Sequence, residues 1–373
     1  MAAAEALAGA QNSRGLADVI LARLNELLPP AAAAAASSGM ESLAVHFTCA
    51  LQLLFQEGRV EQCVPVEVTL VMEAFQLLQE MTPYIKFGHF TANQAILEAV
   101  AGERRVHIVD YDIMEGVQWA SLMQSLVTAN NSAPPPHLRI TAVVQQTGRR
   151  LSEFAAAVRL PFSFRQCRLE PDGRFRSKAV KTVRGEAVVF NCALHAPHQA
   201  HHAARSVGSF LAGAAEVSPR LIAVVEESGG GRREGSGVVG RFVEEMVRYS
   251  AIWDAMEAGF AMEGNKAREI VERAILAPRI AGAVGRAYRE DEDGRRWGDW
   301  MAEAGYRKLE LSSFNYCQAK QLIGLFSEGY GLEQDALNKL TLQWKSRRLV
   351  TASIWSAAPA AGDLESQGIL PCL

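Results

Sequence analysis

Two carboxylates one residue apart, Asp110 and Asp112, follow the apolar run Val106-His107-Ile108-Val109 and precede a glycine at position 116. A strand without a polar face is one that helices cover on both sides, as in parallel sheets. After the turn, Trp119, Leu122, Met123 and Leu126 recur at helical spacing. The pattern predicts strand, tight turn and helix, the first half of a βαβ unit. Ligands of open α/β sheets bind outside the carboxyl ends of the strands, where Asp110, Asp112 and Gly116 fall. These three are the candidate cofactor-binding residues. The turn argues against them. It carries Tyr111, Ile113 and Met114 where a backbone approaching a ligand needs several glycines, and strand two ends in Gln145-Gln146 where a carboxylate would grip ribose hydroxyls. No cofactor is expected on these grounds, and the plainer role for Asp110 is to cap the following helix.

Three further groupings have chemical potential. His195, His198, His201 and His202 lie within eight positions, and the last three can share a helix face that zinc would accept. No cysteine or carboxylate stands nearby to complete the shell, so a solvated loop and helix start is the simpler reading. Gly235-Ser236-Gly237-Val238-Val239-Gly240 spells G-x-G-x-x-G, but residues 229–234 separate it from the preceding strand, so no helix terminus is placed to meet a pyrophosphate. Arg165, Arg168, Arg174, Arg176, Lys178 and Lys181 form the strongest local basic patch and are the candidate DNA-phosphate contacts. Aromatic interleaving is sparse there and no recognition helix is evident. No nucleophile–base arrangement can be argued from spacing, because such triads form only in space; no catalytic residue is assigned.

The elements that must position these residues divide into two kinds. From Val106 onward, strand-like segments over 106–110, 138–144, 162–167 (alternating, as in a half-buried strand), 187–190, 221–225 and 306–311 are separated by helices or loops, which predicts a mostly parallel, doubly wound sheet with helices on both faces. Leu340–Trp344 and Leu349–Trp355 flank Lys345-Ser346-Arg347-Arg348 as a terminal hairpin. An α/β sheet closed by antiparallel strands resembles the class I methyltransferase architecture, a Rossmann-like fold. There the 110–116 turn would hold S-adenosylmethionine. Residues 40–100 and 240–288 show helical periodicity only and are expected to pack together as a cap. The expected organisation is a variable, low-complexity segment 1–39, cap 40–100, α/β core 101–239, cap insertion 240–288, core completion 289–356 and a tail 357–373. Thr91-Ala92-Asn93-Gln94 reads as a capping box opening a helix. Leu16, Val19, Ile20, Leu24 and Leu27 make one stripe on an N-terminal helix that could dock on the cap or serve a partner.

Composition sets limits. The 373 residues are 49% hydrophobic and 21% charged, with net charge -3. That is ordinary globular composition without a global basic field to attract nucleic acid. Six scattered cysteines contain no Cys-x-x-Cys pair and read as reduced thiols. No basic leader opens the chain, and no apolar run reaches membrane-spanning length. The expectation is a soluble intracellular protein without a membrane partner.

Taken together, the ordered blocks resemble the plant GRAS family of transcriptional regulators, over roughly Met40 to Trp355. Val106, His107, Ile108, Val109 and Asp110 with Gln118 and Trp119 look like its VHIID signature. Tyr84–Glu98 resembles the first leucine-rich region, Phe190–His195 sits where the second would be, and Glu226–Tyr249 resembles the PFYRE region. Trp344, Ser353 and Trp355 resemble the SAW motif. The second leucine-rich block departs from the pattern: Cys192-Ala193-Leu194-His195 lacks its arginine. The wording of 110–119 is most similar to the nodulation-signalling branch. The resemblance implies a Rossmann-like core with a helical cap, action in the nucleus, and regulation through another GRAS-family protein as a heterodimer or through a second copy as a homodimer. It also implies roles in symbiosis signalling and strigolactone production, with promoter DNA reached through the partner or by weak direct contact. The alternative is a methyltransferase-derived enzyme or small-molecule sensor using the crevice near Asp110.

Overall fold

A computed structural model describes residues 1–8, 13–30, 39–57, 68–114, 116–128, 134–143, 148–194, 204–227, 237–260, 265–288 and 297–357. Five helices come first: α1 (Ala2–Ala8), α2 (Arg14–Leu27), α3 (Gly39–Glu57), α4 (Val68–Met81) and α5 (Tyr84–Ala99). Strands and helices then alternate as β1 (Arg105–Asp110), α6 (Val117–Thr128), β2 (His137–Ala142), α7 (Gly148–Ala157), β3 (Phe162–Gln166), β4 (Ala187–Leu194), α8 (Ala204–Val217) and β5 (Leu221–Glu227). Three helices follow, α9 (Val238–Phe260), α10 (Asn265–Val271) and α11 (Ala277–Ala287), the last two joined by one turn of π-helix, Glu272–Leu276. The chain finishes with α12 (Trp297–Glu303), β6 (Arg307–Lys308), α13 (Ser313–Ile323), β7 (Tyr330–Ala336), β8 (Lys339–Trp344) and β9 (Arg347–Ser356).

The strands form one sheet in the order β3-β2-β1-β4-β5-β9-β8-β7, with β6 also on β9. The five from β3 to β5 are parallel, and β9 joins β5 antiparallel, placing Ile222 opposite Trp355. The order reverses between β1 and β4, which makes their carboxyl ends the topological switch point. The alternation of side chains along each strand separates two cores. Val106 and Ile108 of β1, Val189 of β4, Ala223 and Val225 of β5 and Val350 of β9 face the cap side with Phe47, Phe87, Trp119, Phe242 and Trp253. Val109, Phe190, Val224 and Trp355 face the other side, against Val207, Phe210 and Leu211 of α8 and Met301 of α12.

On the cap side, α5 lies against the sheet. A Cβ at Gly88 would stand 2.4 Å from Val225 Cγ1, so this helix reaches its distance only because position 88 has no side chain. The helices α3, α4, α9, α10 and α11 pack around one another, and three links show how. Phe47 meets Phe242 edge-on at 5.5 Å, His46 donates to Glu272 at 2.7 Å, and Ser42 donates to the same carboxylate oxygen.

Several expectations are corrected. The helix predicted to open at Thr91 begins at Tyr84, with Pro83 at its N-cap; Thr91 is buried in mid-helix, and its neighbour Asn93 is turned inward instead of capping. The N-terminal helices are not a free segment. Tyr288 donates to the Ala4 carbonyl at 2.8 Å, Arg14 donates to the Phe55 carbonyl at 2.8 Å, and Ala3, Ala4 and Leu21 join the cap-side core. The stripe on α2 splits accordingly: Ile20 and Leu24 turn inward beside Ala17 and Leu21, whereas Leu16, Val19 and Leu27 are exposed by 57%, 67% and 67%. The strand expected over 306–311 pairs over Arg307–Lys308 only, and β7 was not foreseen. The closing hairpin forms β8 and β9 with Lys345 and Ser346 at φ 45° and 64°. Such a two-residue turn needs positive φ at both central positions.

Candidate functional site

Among the described residues, buried side chains join the strand ends on either side of the switch point. Asp110, the last residue of β1, accepts the Trp119 indole N–H at 2.7 Å on one carboxylate oxygen and the Asn191 amide at 2.9 Å on the other. Gln118 exchanges its amide with Asn191 at 3.3 Å and donates to Asn93 of α5 at 3.2 Å. Asn93 in turn donates to the Gln118 carbonyl at 2.9 Å and to Ser121 at 3.0 Å. Asn93, Asp110, Gln118, Trp119 and Asn191 are all buried. One connected network thus ties β1, α6, β4 and the cap-side helix α5, and each member gives another the hydrogen bond that burial would otherwise deny it.

Asp110 therefore does not cap α6. The turn that follows is built differently: the Asp112 carboxylate accepts the Met114 N–H at 3.3 Å, the Gly116 N–H bonds the Ile113 carbonyl at 2.8 Å, and the Gly116 carbonyl accepts the Trp119 N–H at 3.0 Å. Met114 and Gly116 both take left-handed backbone, φ 44° and 72°. Tyr111 is buried against Phe210 at 4.8 Å, and Ile113 is buried on the cap side.

Burial sets the electrostatics. It pushes the Asp110 carboxyl up to about 7, opposed by the hydrogen bonds from Asn191 and Trp119. His107, on the opposite face of β1, is pushed down to about 3 by burial and by the neighbouring charges of Arg139 and Arg165. It is neutral, and its contacts fix the tautomer. Nδ1 accepts from Arg139 at 3.0 Å, so Nε2 carries the proton and donates to Thr141 at 2.8 Å. Arg139 also pairs with Glu186, forming a buried bridge between β2 and the start of β4. A neutral, doubly engaged histidine of this kind is a structural member of the sheet.

The other residues singled out in the sequence disperse. Trp344 packs edge-on against Tyr330 at 4.7 Å and donates to Asp254 of α9 at 2.7 Å, clamping the hairpin to the cap. Trp355 points to the opposite face, donating to Ser353 at 3.0 Å. Arg165, Arg168, Arg174, Arg176, Lys178 and Lys181 are exposed along edge strand β3 and the loop after it. Arg176 is paired with Glu170 at 3.0 Å and Arg174 with Asp172 at 3.6 Å. The four histidines, Gln145-Gln146 and the first two residues of the glycine motif lie outside the described residues; Gly237 directly precedes α9. Among the described residues, no group of histidine, cysteine, aspartate and glutamate is arranged to hold a metal ion, and no helix is long and apolar enough to cross a membrane.

Reading the sequence gave Asn93 only a place in a capping box and did not single out Asn191, Arg139, Glu227, Arg248 or Arg279. A signal for the first three existed: a histidine, an asparagine or an arginine inside an otherwise apolar strand or helix stripe must find a partner when buried.

Fold and site together define a Rossmann-like domain under a helical cap, with buried side chains hydrogen-bonded across its switch point. The description of the GRAS domain family matches residues 1–356, and the chain belongs to that family. It is 50% identical to Protein NODULATION SIGNALING PATHWAY 2 of Medicago truncatula over 98% of this chain and 76% of that protein. It is 48% identical to the protein of the same name from Lotus japonicus, over 96% and 75%. Among solved structures it is similar to SCL7 of Oryza sativa, with a TM-score of 0.73 and 27% identity over 94% of this chain and 97% of that one.

Proposed function

We propose that this protein is a nuclear transcriptional co-regulator in nodulation signalling and strigolactone control, acting through contact with another GRAS-family protein and meeting promoter DNA through that partner or weakly itself. The supporting relatives are named for nodulation signalling. The observation that carries the mode of action is the outward face of α2. Leu16, Val19 and Leu27 recur at helical spacing with Arg23 between them, all turned to solvent while the opposite side of the same helix is seated on the cap. Apolar side chains in a row on a docked helix suit helix-in-groove or helix-on-helix recognition. The buried network favours this reading over an enzyme or a sensor acting beside Asp110, because a molecule that reached the Asp110 carboxylate would first have to displace Trp119 and Asn191 from it.

The test is the double variant Leu16→Glu, Val19→Glu in the full chain, with binding to a second GRAS-family protein measured by interferometry. The expected result is an unchanged denaturation midpoint and at least a tenfold loss of affinity. Undiminished binding by the folded variant would place the interface elsewhere.

A further inference from the structure

The chain from β3 to β4 runs over the α8 side of the sheet as irregular backbone, residues 167–186, with one short 3-10 turn at Ser177–Ala179. Its inner anchor is Phe175, buried edge-on against Phe210 of α8 at 5.0 Å, where a Cβ on Gly213 would stand 2.7 Å from the ring. Two side chains of α8 hold the loop down. Ser209 accepts the Phe175 N–H at 2.8 Å, and Glu216 accepts the Ser177 hydroxyl. The second tether lies at the surface, and Glu216 is exposed.

The residues around that hydroxyl are Arg174-Phe175-Arg176-Ser177-Lys178, with cations three and one positions before it and one after. Kinases choose substrates by such charge patterns. Both arginines are exposed, and their pairings with Asp172 and Glu170 are surface pairs, which are weak and give way to an acidic cleft. Arg149-Arg150-Leu151-Ser152 carries a similar pattern, but Ser152 lies within α7 and bonds the Gly148 carbonyl at 2.8 Å. A kinase would have to unwind that helix to reach it, whereas Ser177 is offered on a loop.

We infer that Ser177 is a phosphorylation site for an arginine-directed protein kinase, and that its phosphate releases the 170–180 loop from α8. In the step, Ser177 Oγ bonds the γ-phosphorus of a nucleoside triphosphate held by the kinase, and the bond from that phosphorus to the β-phosphate oxygen breaks. The hydroxyl proton passes to the kinase's base, and the nucleoside diphosphate leaves. A neutral donor to Glu216 thereby becomes a group of charge about -2 facing the same carboxylate, so attraction turns to repulsion. The inference goes beyond the partner surface on α2 and does not depend on it.

The test incubates the full chain with ATP and the catalytic subunit of the cyclic-AMP-dependent kinase, an arginine-directed enzyme. Mass spectrometry locates the phosphate, and hydrogen exchange over 173–182 is compared before and after. Phosphate is expected on Ser177, none at that position in Ser177→Ala, and labelling at least tenfold slower in the double variant Arg174→Gln, Arg176→Gln, which lacks the charges the kinase reads. Exchange over 173–182 should quicken about tenfold on phosphorylation, from the lost hydrogen bond and the new repulsion together. Glu216→Gln removes the repelling charge and offers the phosphate an amide donor, so its phosphorylated loop should exchange within about twofold of the unmodified chain. The substituted arginines and Glu216 are exposed, so these variants are expected to fold. No phosphate on Ser177, or phosphate on Ser152 alone, overturns the site. Phosphate on Ser177 that leaves exchange unchanged, or quickens it equally in Glu216→Gln, overturns the release.

Discussion

Replacing Asp110 with asparagine isolates the electrostatics of the buried network at the switch point. In the folded chain burial places this carboxyl at about 7, against an ordinary value of 3.8. Below the ordinary value both folded and unfolded forms are protonated and the pair of states differs by no proton. As pH rises, the unfolded chain releases its proton first while the native chain keeps it, so stability falls until the native group also ionises near pH 7, and then levels off. With about 1.4 kcal/mol per pKa unit, the wild type stands about 1.6 kcal/mol below its acid limit at about pH 5 and about 4.3 kcal/mol below it at about pH 8, a difference of about 2.7 kcal/mol. Asp110→Asn has no such component. Urea midpoints at several pH values, converted with a common slope, give the two curves. They should diverge through this window and run parallel above about pH 8. Curves that stay parallel, to within about 0.5 kcal/mol, from about pH 5 upward would refute the claim that Asp110 is desolvated within its buried network.

Other consequences follow from packing and charge. Trp355→Ala empties a buried site between β9 and the α8–α12 side and should cost about 3–5 kcal/mol in urea denaturation; an unchanged midpoint would make Trp355 a surface contact. Gly88→Ala drives a Cβ to within 2.4 Å of Val225 Cγ1 and should cost about 1–3 kcal/mol through overpacking, despite alanine's better helix propensity; a stabilised variant would show α5 free to lift from the sheet. The isolated chain, with net charge -3 and two of its six patch cations paired with carboxylates, should bind duplex DNA weakly, with little sequence preference and a steep salt dependence. Nanomolar, sequence-selective binding at physiological salt would contradict this.

The core strands were legible because burial on both faces writes itself as uninterrupted apolar residues: β1 and β5 lie where Val106–Asp110 and Leu221–Val225 predict them. What the sequence hides is polar pairing at a distance. Nothing local links Glu227 to Arg279, or Asn93 to Gln118, and an arginine on a helix facing the core reads like any surface charge until the fold is known. The stripe on α2 was misplaced for a related reason. Ala17 buries completely yet carries too little apolar weight to mark the inner face, so the heavier Leu16, Val19 and Leu27 drew the stripe outward. The edge strand β7, Tyr-Gly-Leu-Glu-Gln-Asp-Ala, was missed because an exposed edge is written in the polar residues that also make loops.

Under the proposed function the exposed face of α2 meets the partner, while the buried network at the strand ends stays internal. Hydrogen exchange of the full chain, alone and with a second GRAS-family protein bound, tests this most directly. The account predicts added protection across Arg14–Leu27 and none around 110–119. Added protection confined to the strand ends, with α2 exchanging as in the free chain, would contradict it.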